Sequence, residues 1–255
     1  MKVLFEGSHS LGLTLTSKEI DAFRIYQREL AEWNTRFNLT AVHGETQVQI
    51  RHFLDSLSCL LAMGRDGPFT LPSGEAGKRI PKSVRNLKLR VIDIGSGPGF
   101  PGIPLKIVCP RLKLTLLEAT GKKVTFLQHI VDLLRLKDVQ VIHDRAETTG
   151  QSPEHRESYD LVLARAVAEL AVLAEYALPF CSLGGQVIAQ KGQDAQVEAM
   201  SAERVIKLLG GTLSYMLDVE IPGLAESRSL VVIGKTARTP VDYPRRAGIP
   251  NKKPL

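Results

Sequence analysis

Residues 91–102 read VIDIGSGPGFPG, an apolar run that ends in an acid and gives way to closely spaced glycines. The apolar half has the length of a buried strand, and Gly95, Gly97 and Gly99 mark a sharp turn after it. Glycine has no Cβ, so such a turn can take positive φ angles and let a flat or charged ligand lie against bare backbone. The segment fits two spacings at once: D-x-G-x-G-x-G over 93–99 and G-x-G-x-x-G over 97–102. Both point to a nucleoside cofactor, the first to S-adenosylmethionine and the second to a dinucleotide. A strand-to-helix turn without any ligand also satisfies them, so the surroundings must decide.

Downstream, strand and helix patterns alternate. Strands are predicted over 89–94, 113–118, 139–143, 159–164 and 186–190, with helices over 103–108, 122–136, 168–179 and 195–209. That alternation implies an α/β fold, a parallel sheet covered by helices on both faces. After Gly210 and Gly211, two β-forming runs over 212–221 and 229–235 follow with no helix between them, which predicts a closing antiparallel hairpin. A Rossmann-like seven-stranded sheet with one reversed strand is typical of class I methyltransferases, whereas a dinucleotide dehydrogenase more often continues with another parallel crossover. Upstream, residues 16–63 show helical periodicity, with Ser17 as the expected N-cap, and form an N-terminal helical extension. Residues 64–88 are rich in Gly, Pro and charge and read as a linker. The chain thus divides into helices and linker (1–88), a core (89–237) and a tail (238–255), within one structural domain.

A length of 255 residues with 44% hydrophobic content suits one α/β core with appended elements. No apolar run is long enough for a membrane span and MKVLFEGSHS has no signal-peptide pattern, so a cytoplasmic protein is expected. Cys59, Cys109 and Cys181 are far apart, and the six histidines lack ligand spacing, so neither a disulfide nor a metal site is predicted. Net charge is +6, and the tail carries five cations against the single acid Asp242. Its four prolines, Pro240, Pro244, Pro250 and Pro254, argue for an extended basic arm able to follow a phosphate backbone, or for a merely solvated tail.

In a doubly wound sheet the ligand lies beyond the carboxyl ends of the strands. Gly95, Gly97 and Gly99 follow the first strand, with Asp93 placed to orient the loop and Phe100 to flank the cofactor. Glu118 ends the second strand, where a carboxylate can accept ribose hydroxyls, and Ala146 and Glu147 follow the third, within reach of an adenine edge. Arg165, just after the fourth strand, needs an anionic partner: a cofactor carboxylate, RNA, or a protein acid such as Asp93 or Glu169. Lys122, Lys123, Lys191, Arg245 and Arg246 are the basic positions near the strand ends and in the tail that could contact a polyanionic substrate, with Lys191 foremost and a solvated helix start as the alternative for Lys122 and Lys123. Asn38, Arg51, His52 and Asp55 are polar positions amid an apolar helical pattern, either substrate contacts or a structural network in which Arg51 pairs with Asp55 at i,i+4.

Several separated segments together resemble one family: WNTRFNLTAV (33–42), RHFLDSL (51–57), IDIGSGPGFPGIPLKIV (92–108), EATGKKVTFL (118–127), RAE (145–147), LARAVAEL (163–170), GGQVIAQKG (184–192) and YPRRAGIPNKKPL (243–255). The chain is similar over nearly its whole length to the bacterial 16S rRNA guanine-N7 methyltransferases, once called glucose-inhibited division protein B. Residues 64–88 depart from the compact members. The resemblance implies an S-adenosylmethionine site at Gly95, Phe100, Glu118, Ala146, Glu147 and Arg165, and as substrate one guanosine of 16S rRNA, free or within the small ribosomal subunit. It is expected to act as a monomer. Guanine N7 carries a lone pair and no proton, so the implied reaction needs no general base, and no proton-transfer residue is expected. Two rivals remain at this point: a dinucleotide-dependent oxidoreductase and an inactive RNA-binding protein with a methyltransferase fold.

Overall fold

A computed structural model describes residues 1–63 and 79–255. The seven strands are β1 (Arg90–Ile94), β2 (Lys113–Glu118), β3 (Val139–His143), β4 (Tyr159–Arg165), β5 (Cys181–Lys191), β6 (Gly211–Val219) and β7 (Arg228–Lys235). They form one sheet in the order β3-β2-β1-β4-β5-β7-β6. Strands β1 to β5 are parallel, and β7 runs antiparallel to both β5 and β6. The sheet therefore closes with the expected hairpin and not with a further parallel crossover, which sets it apart from the dehydrogenase arrangement.

Strand periodicity divides the core into two layers. Val91, Leu161, Leu163, Ile188, Leu230 and Val232 face the layer built from the N-terminal helices and the helices after β1 and β2. Ile92, Ile94, Val162, Ala164, Val187, Ala189, Val231 and Ile233 face the opposite layer. The first layer contains α1 (Lys2–Ser10), α2 (Ser17–Phe37), α3 (Glu45–Val48), a π-helical stretch (Gln49–Leu54), α4 (Asp55–Ser58), α5 (Gly102–Val108) and α6 (Gly121–Leu133). After β3 comes the short α7 (Ala146–Thr149); the second layer is α8 (Leu170–Ala177) and α9 (Ala195–Leu208), and α10 (Ile249–Lys252) lies in the tail.

Three expectations change. Helix α1 was not anticipated. The cap of α2 is Thr16, not Ser17: Thr16 accepts from the Glu19 amide and Glu19 accepts from the Thr16 amide, a reciprocal box that Ser17, with Ile20 three residues on, cannot form. Of the expected linker, 64–78 lies outside the described residues, but the remainder is built in. The Ile80 amide donates to the Leu11 carbonyl at 2.7 Å, and Arg85 pairs with Glu19 and donates to the Thr14 carbonyl.

Candidate active site

The turn after β1 is held by its own backbone. The Gly99 and Phe100 amides both donate to the Ser96 carbonyl, at 2.8 and 2.9 Å. Gly97 and Gly99 have φ of 59° and 107°, and they are glycines for different reasons. A Cβ at Gly99 would lie 2.5 Å from Ile103 Cδ1 and 2.6 Å from the Tyr26 hydroxyl, so packing excludes it. A Cβ at Gly97 would meet only the Gly95 carbonyl oxygen, at 4.0 Å, and would project into open space. Asp93 accepts from the Gly102 amide at 2.8 Å and so fixes the start of α5. Burial pushes its pKa up to about 7, and its other oxygen, like the Ser96 hydroxyl, has no protein partner.

Glu118 stands against this turn. One carboxylate oxygen accepts from the Gly97 amide at 2.9 Å and the other from the Thr120 amide at 2.8 Å, leaving each a spare lone pair. Open space beside Gly97, a buried carboxylate with remaining acceptor capacity and an unpartnered Ser96 hydroxyl fit the sugar and chain of a nucleoside cofactor. Glu147 is buried and accepts from the Gly248 amide at 2.7 Å, so it ties down the tail. Ala146, half-buried, opens the same short helix.

The other half of the site follows from strand parity. Arg165, Gln190 and Arg228 share the faces of Leu163, Ile188 and Leu230, and so all point toward the N-terminal helical layer. There they meet Asp55, 1% exposed, which accepts from Arg165 at 3.2 Å and from Arg228 at 3.0 Å. The Gln190 amide donates to the Asp55 carbonyl at 2.6 Å. The protein partner of Arg165 is therefore Asp55, and neither Asp93 nor Glu169. Arg51 does not pair with Asp55 either, because the helix is π-helical from Gln49 to Leu54 and the i,i+4 positions no longer stack. Instead Arg51 pairs with Glu226 at 2.6 Å. Arg228 was missed in the sequence, although an arginine immediately ahead of the apolar run SLVVI presents the same burial problem as Arg165 immediately after one.

His52 joins the two halves. Its ring stacks on Phe100 with centroids 4.3 Å apart, while the Arg165 guanidinium lies 5.1 Å from the center of the Phe100 ring. His52 Nδ1 lies 3.2 Å from the Arg51 carbonyl and 3.3 Å from the Arg165 guanidinium, and Nε2 is hydrogen-bonded to the Thr40 hydroxyl at 2.8 Å. Burial, and then the Arg165 charge, lower its pKa to about 3. In the unfolded chain it protonates near the ordinary ~6.5, so the unfolded state binds more protons over that interval and stability must fall as pH drops through it. His52→Gln is expected to show a shallower loss of melting temperature between about pH 7 and about pH 5 than the parent chain, measured by calorimetry.

The remaining candidates separate into engaged and free groups. Lys191 has the opposite parity from Gln190, faces α9, and binds Glu198 and the Ala168 carbonyl, both at 2.6 Å. Asn38 is the left-handed C-cap of α2, a conformation asparagine tolerates. The tail is a docked strap, not an extended arm: Arg156 donates to the Thr239, Pro240 and Tyr243 carbonyls, Gln151 to those of Val241 and Pro244, and Arg245 forms a two-bond fork with buried Glu175. These backbone carbonyls, exposed by the proline-rich sequence, are what bind it. Lys122 and Arg246, with Lys252 and Lys253 beyond it, are exposed, and Lys123 is half-buried at the start of α6. Among the described residues no cluster of three or more His, Cys, Asp or Glu side chains is placed to hold a metal ion, and no helix is long and apolar enough to cross a membrane.

The family described as rRNA small subunit methyltransferase G matches residues 19–69 and 79–230. The chain is 48% identical to Ribosomal RNA small subunit methyltransferase G of Roseiflexus castenholzii and 45% identical to that of Dehalococcoides mccartyi strain BAV1, in each case over 255 residues and the full length of both proteins. Among solved structures, a ribosomal protein L11 methylase from Lactobacillus delbrueckii subsp. bulgaricus aligns with 76% of this chain and 81% of its own, at 16% identity and a TM-score of 0.49. With the match spanning the glycine turn, Glu118, the Asp55 cluster and both core layers, the chain belongs to the rRNA small subunit methyltransferase G family.

Proposed function

We propose that this protein methylates N7 of one guanine in 16S rRNA, acting as a cytoplasmic monomer on the RNA or on the small ribosomal subunit. The observation that carries the reading is the division of the site: a glycine-and-carboxylate half beside Gly97 and Glu118 adjoins, across Phe100, a cationic half in which Arg165 and Arg228 share the single carboxylate of Asp55. The first half suits a nucleoside cofactor and the second an acceptor that brings phosphates. The N7 position itself follows from the family resemblance.

S-adenosylmethionine supplies an electrophilic methyl group on a sulfonium. In this reading Gly95, Gly97 and Glu118 hold its nucleoside and Ala146 with Glu147 border the adenine, while Asp93, Gly99 and Phe100 keep the turn in shape. Arg165 presents positive charge at the boundary with the acceptor half. Since guanine N7 carries no proton, the residues act by placement, and orientation alone can contribute several powers of ten in rate. Neutral His52, engaged on both ring nitrogens, fits that absence of base chemistry. Lys122, Lys123, Arg246, Lys252 and Lys253 supply charge for the RNA backbone, whereas Lys191 and Arg245 are occupied by Glu198 and Glu175.

The test is transfer of labelled methyl from S-adenosylmethionine to small-subunit rRNA, free and in particles from a strain lacking this gene, followed by mapping of the modified nucleotide. A single 7-methylguanosine is the expected product. Label at another atom or in another RNA would overturn the assignment of the acceptor.

A further inference from the structure

A side chain of the N-terminal helical layer that reaches the glycine turn is Tyr26, in the middle of α2. It is fully buried, and its hydroxyl donates to the Pro98 carbonyl at 2.5 Å, a contact between residues 72 apart. Among the described residues, that carbonyl has no other donor. Its ring stacks on Phe100 at 5.3 Å and on Phe126 at 6.3 Å, which holds the hydroxyl in place. Burial raises the hydroxyl's pKa well above its ordinary value, so it remains a donor.

Pro98 sits between Gly97 and Gly99, two of the three positive-φ glycines of the turn. Its ring fixes φ, so the direction of its carbonyl is the one soft backbone angle it retains. A hydroxyl that captures this carbonyl sets that angle, and with it the Pro98–Gly99 peptide plane, next to Gly97, whose amide is already directed to Glu118. We propose that Tyr26 is a positioning residue for the cofactor: through the Pro98 carbonyl, the N-terminal helical layer holds the glycine turn in its binding conformation. The inference rests on the reading of this turn as the cofactor seat. It gives α2 a role in the chemistry of a loop that its own sequence pattern, with Phe23, Tyr26 and Leu30 on one apolar face, presents only as core packing.

Three variants of the full chain separate the possibilities: Tyr26→Phe, Phe23→Leu and Gly97→Asp. Phe23 belongs to the same aromatic cluster, 4.9 Å from Phe53, and has no hydrogen bond to the turn. Removing the Tyr26 hydroxyl leaves a buried carbonyl unpaired and is expected to weaken S-adenosylhomocysteine binding about tenfold. Hydrogen exchange of the amides of residues 95–103 should accelerate, and KM for the cofactor should rise with kcat retained at saturation. Phe23→Leu should lower the melting temperature and leave affinity and exchange in the turn unchanged. If Tyr26→Phe loses stability but keeps its affinity within about twofold, the hydroxyl is only a packing element and the proposal falls. If Gly97→Asp blocks binding while Tyr26→Phe does not, the inference alone has failed; if Gly97→Asp also binds normally, the turn is not the seat and both readings fail.

Discussion

Gly97→Asp is expected to abolish binding of S-adenosylhomocysteine, by more than about 100-fold, while the melting temperature stays within about 5 °C of the parent. Aspartate is the informative replacement because it tolerates the left-handed backbone better than most residues, so the strain that the 59° φ imposes on any side chain is smaller for it. No side chain stands in its way either, since an added Cβ meets only the Gly95 carbonyl oxygen, at 4.0 Å. What changes is the space beside Gly97 and its charge: a second carboxylate enters next to Glu118, where the cofactor's sugar and chain are proposed to lie. Calorimetric titration measures the binding and a thermal melt measures the fold. Unchanged affinity would place the cofactor elsewhere.

Asp55→Ala is expected to cost about 3–5 kcal/mol of stability, because it leaves two guanidiniums in a low-dielectric layer without their shared counter-charge. For a chain of this size that corresponds to a fall of about 10 °C in melting temperature. Asp55 holds Arg165 and Arg228 at 3.2 and 3.0 Å and is 1% exposed, whereas the two arginine side chains are 14% and 23% exposed. Adding Arg228→Leu to Asp55→Ala should recover part of the loss, since one unpaired cation goes with it. A cost below about 1 kcal/mol for Asp55→Ala would mean that water already screens both cations and that the cluster has no structural weight.

The frame of the molecule was legible because it depends on local pattern. Strands 113–118 and 139–143 were read to the residue, and the closing hairpin followed from two glycines and the lack of a helix between apolar runs. The partners of charged residues were far less legible, because they are set by parity across the sheet and by distant sequence. Lys191 and Arg165 each end an apolar strand, yet one faces α9 and the other the N-terminal layer, and only the strand register separates them. Arg245 seemed a free cation because its acid, Glu175, lies 70 residues earlier. The Arg51–Asp55 pair failed on a change of helical pitch that side-chain types alone do not announce. In contrast, the Thr16 box was present in the sequence as T-x-x-E, one residue ahead of the position chosen.

The position of β7 between β5 and β6 also bears on how the chain is made. Synthesis delivers β6 before the strand that joins it to the sheet, so until residue 235 has emerged, β6 has no neighbor and the edge of β5 at Val187, Ile188 and Ala189 stays open. An open edge of that composition is a template for pairing with another chain. The last strand to be translated is thus the one that seals the sheet, and it brings Arg228 to Asp55 in the same movement, so that closure of the nascent fold and completion of the Asp55 ion-pair cluster are one event.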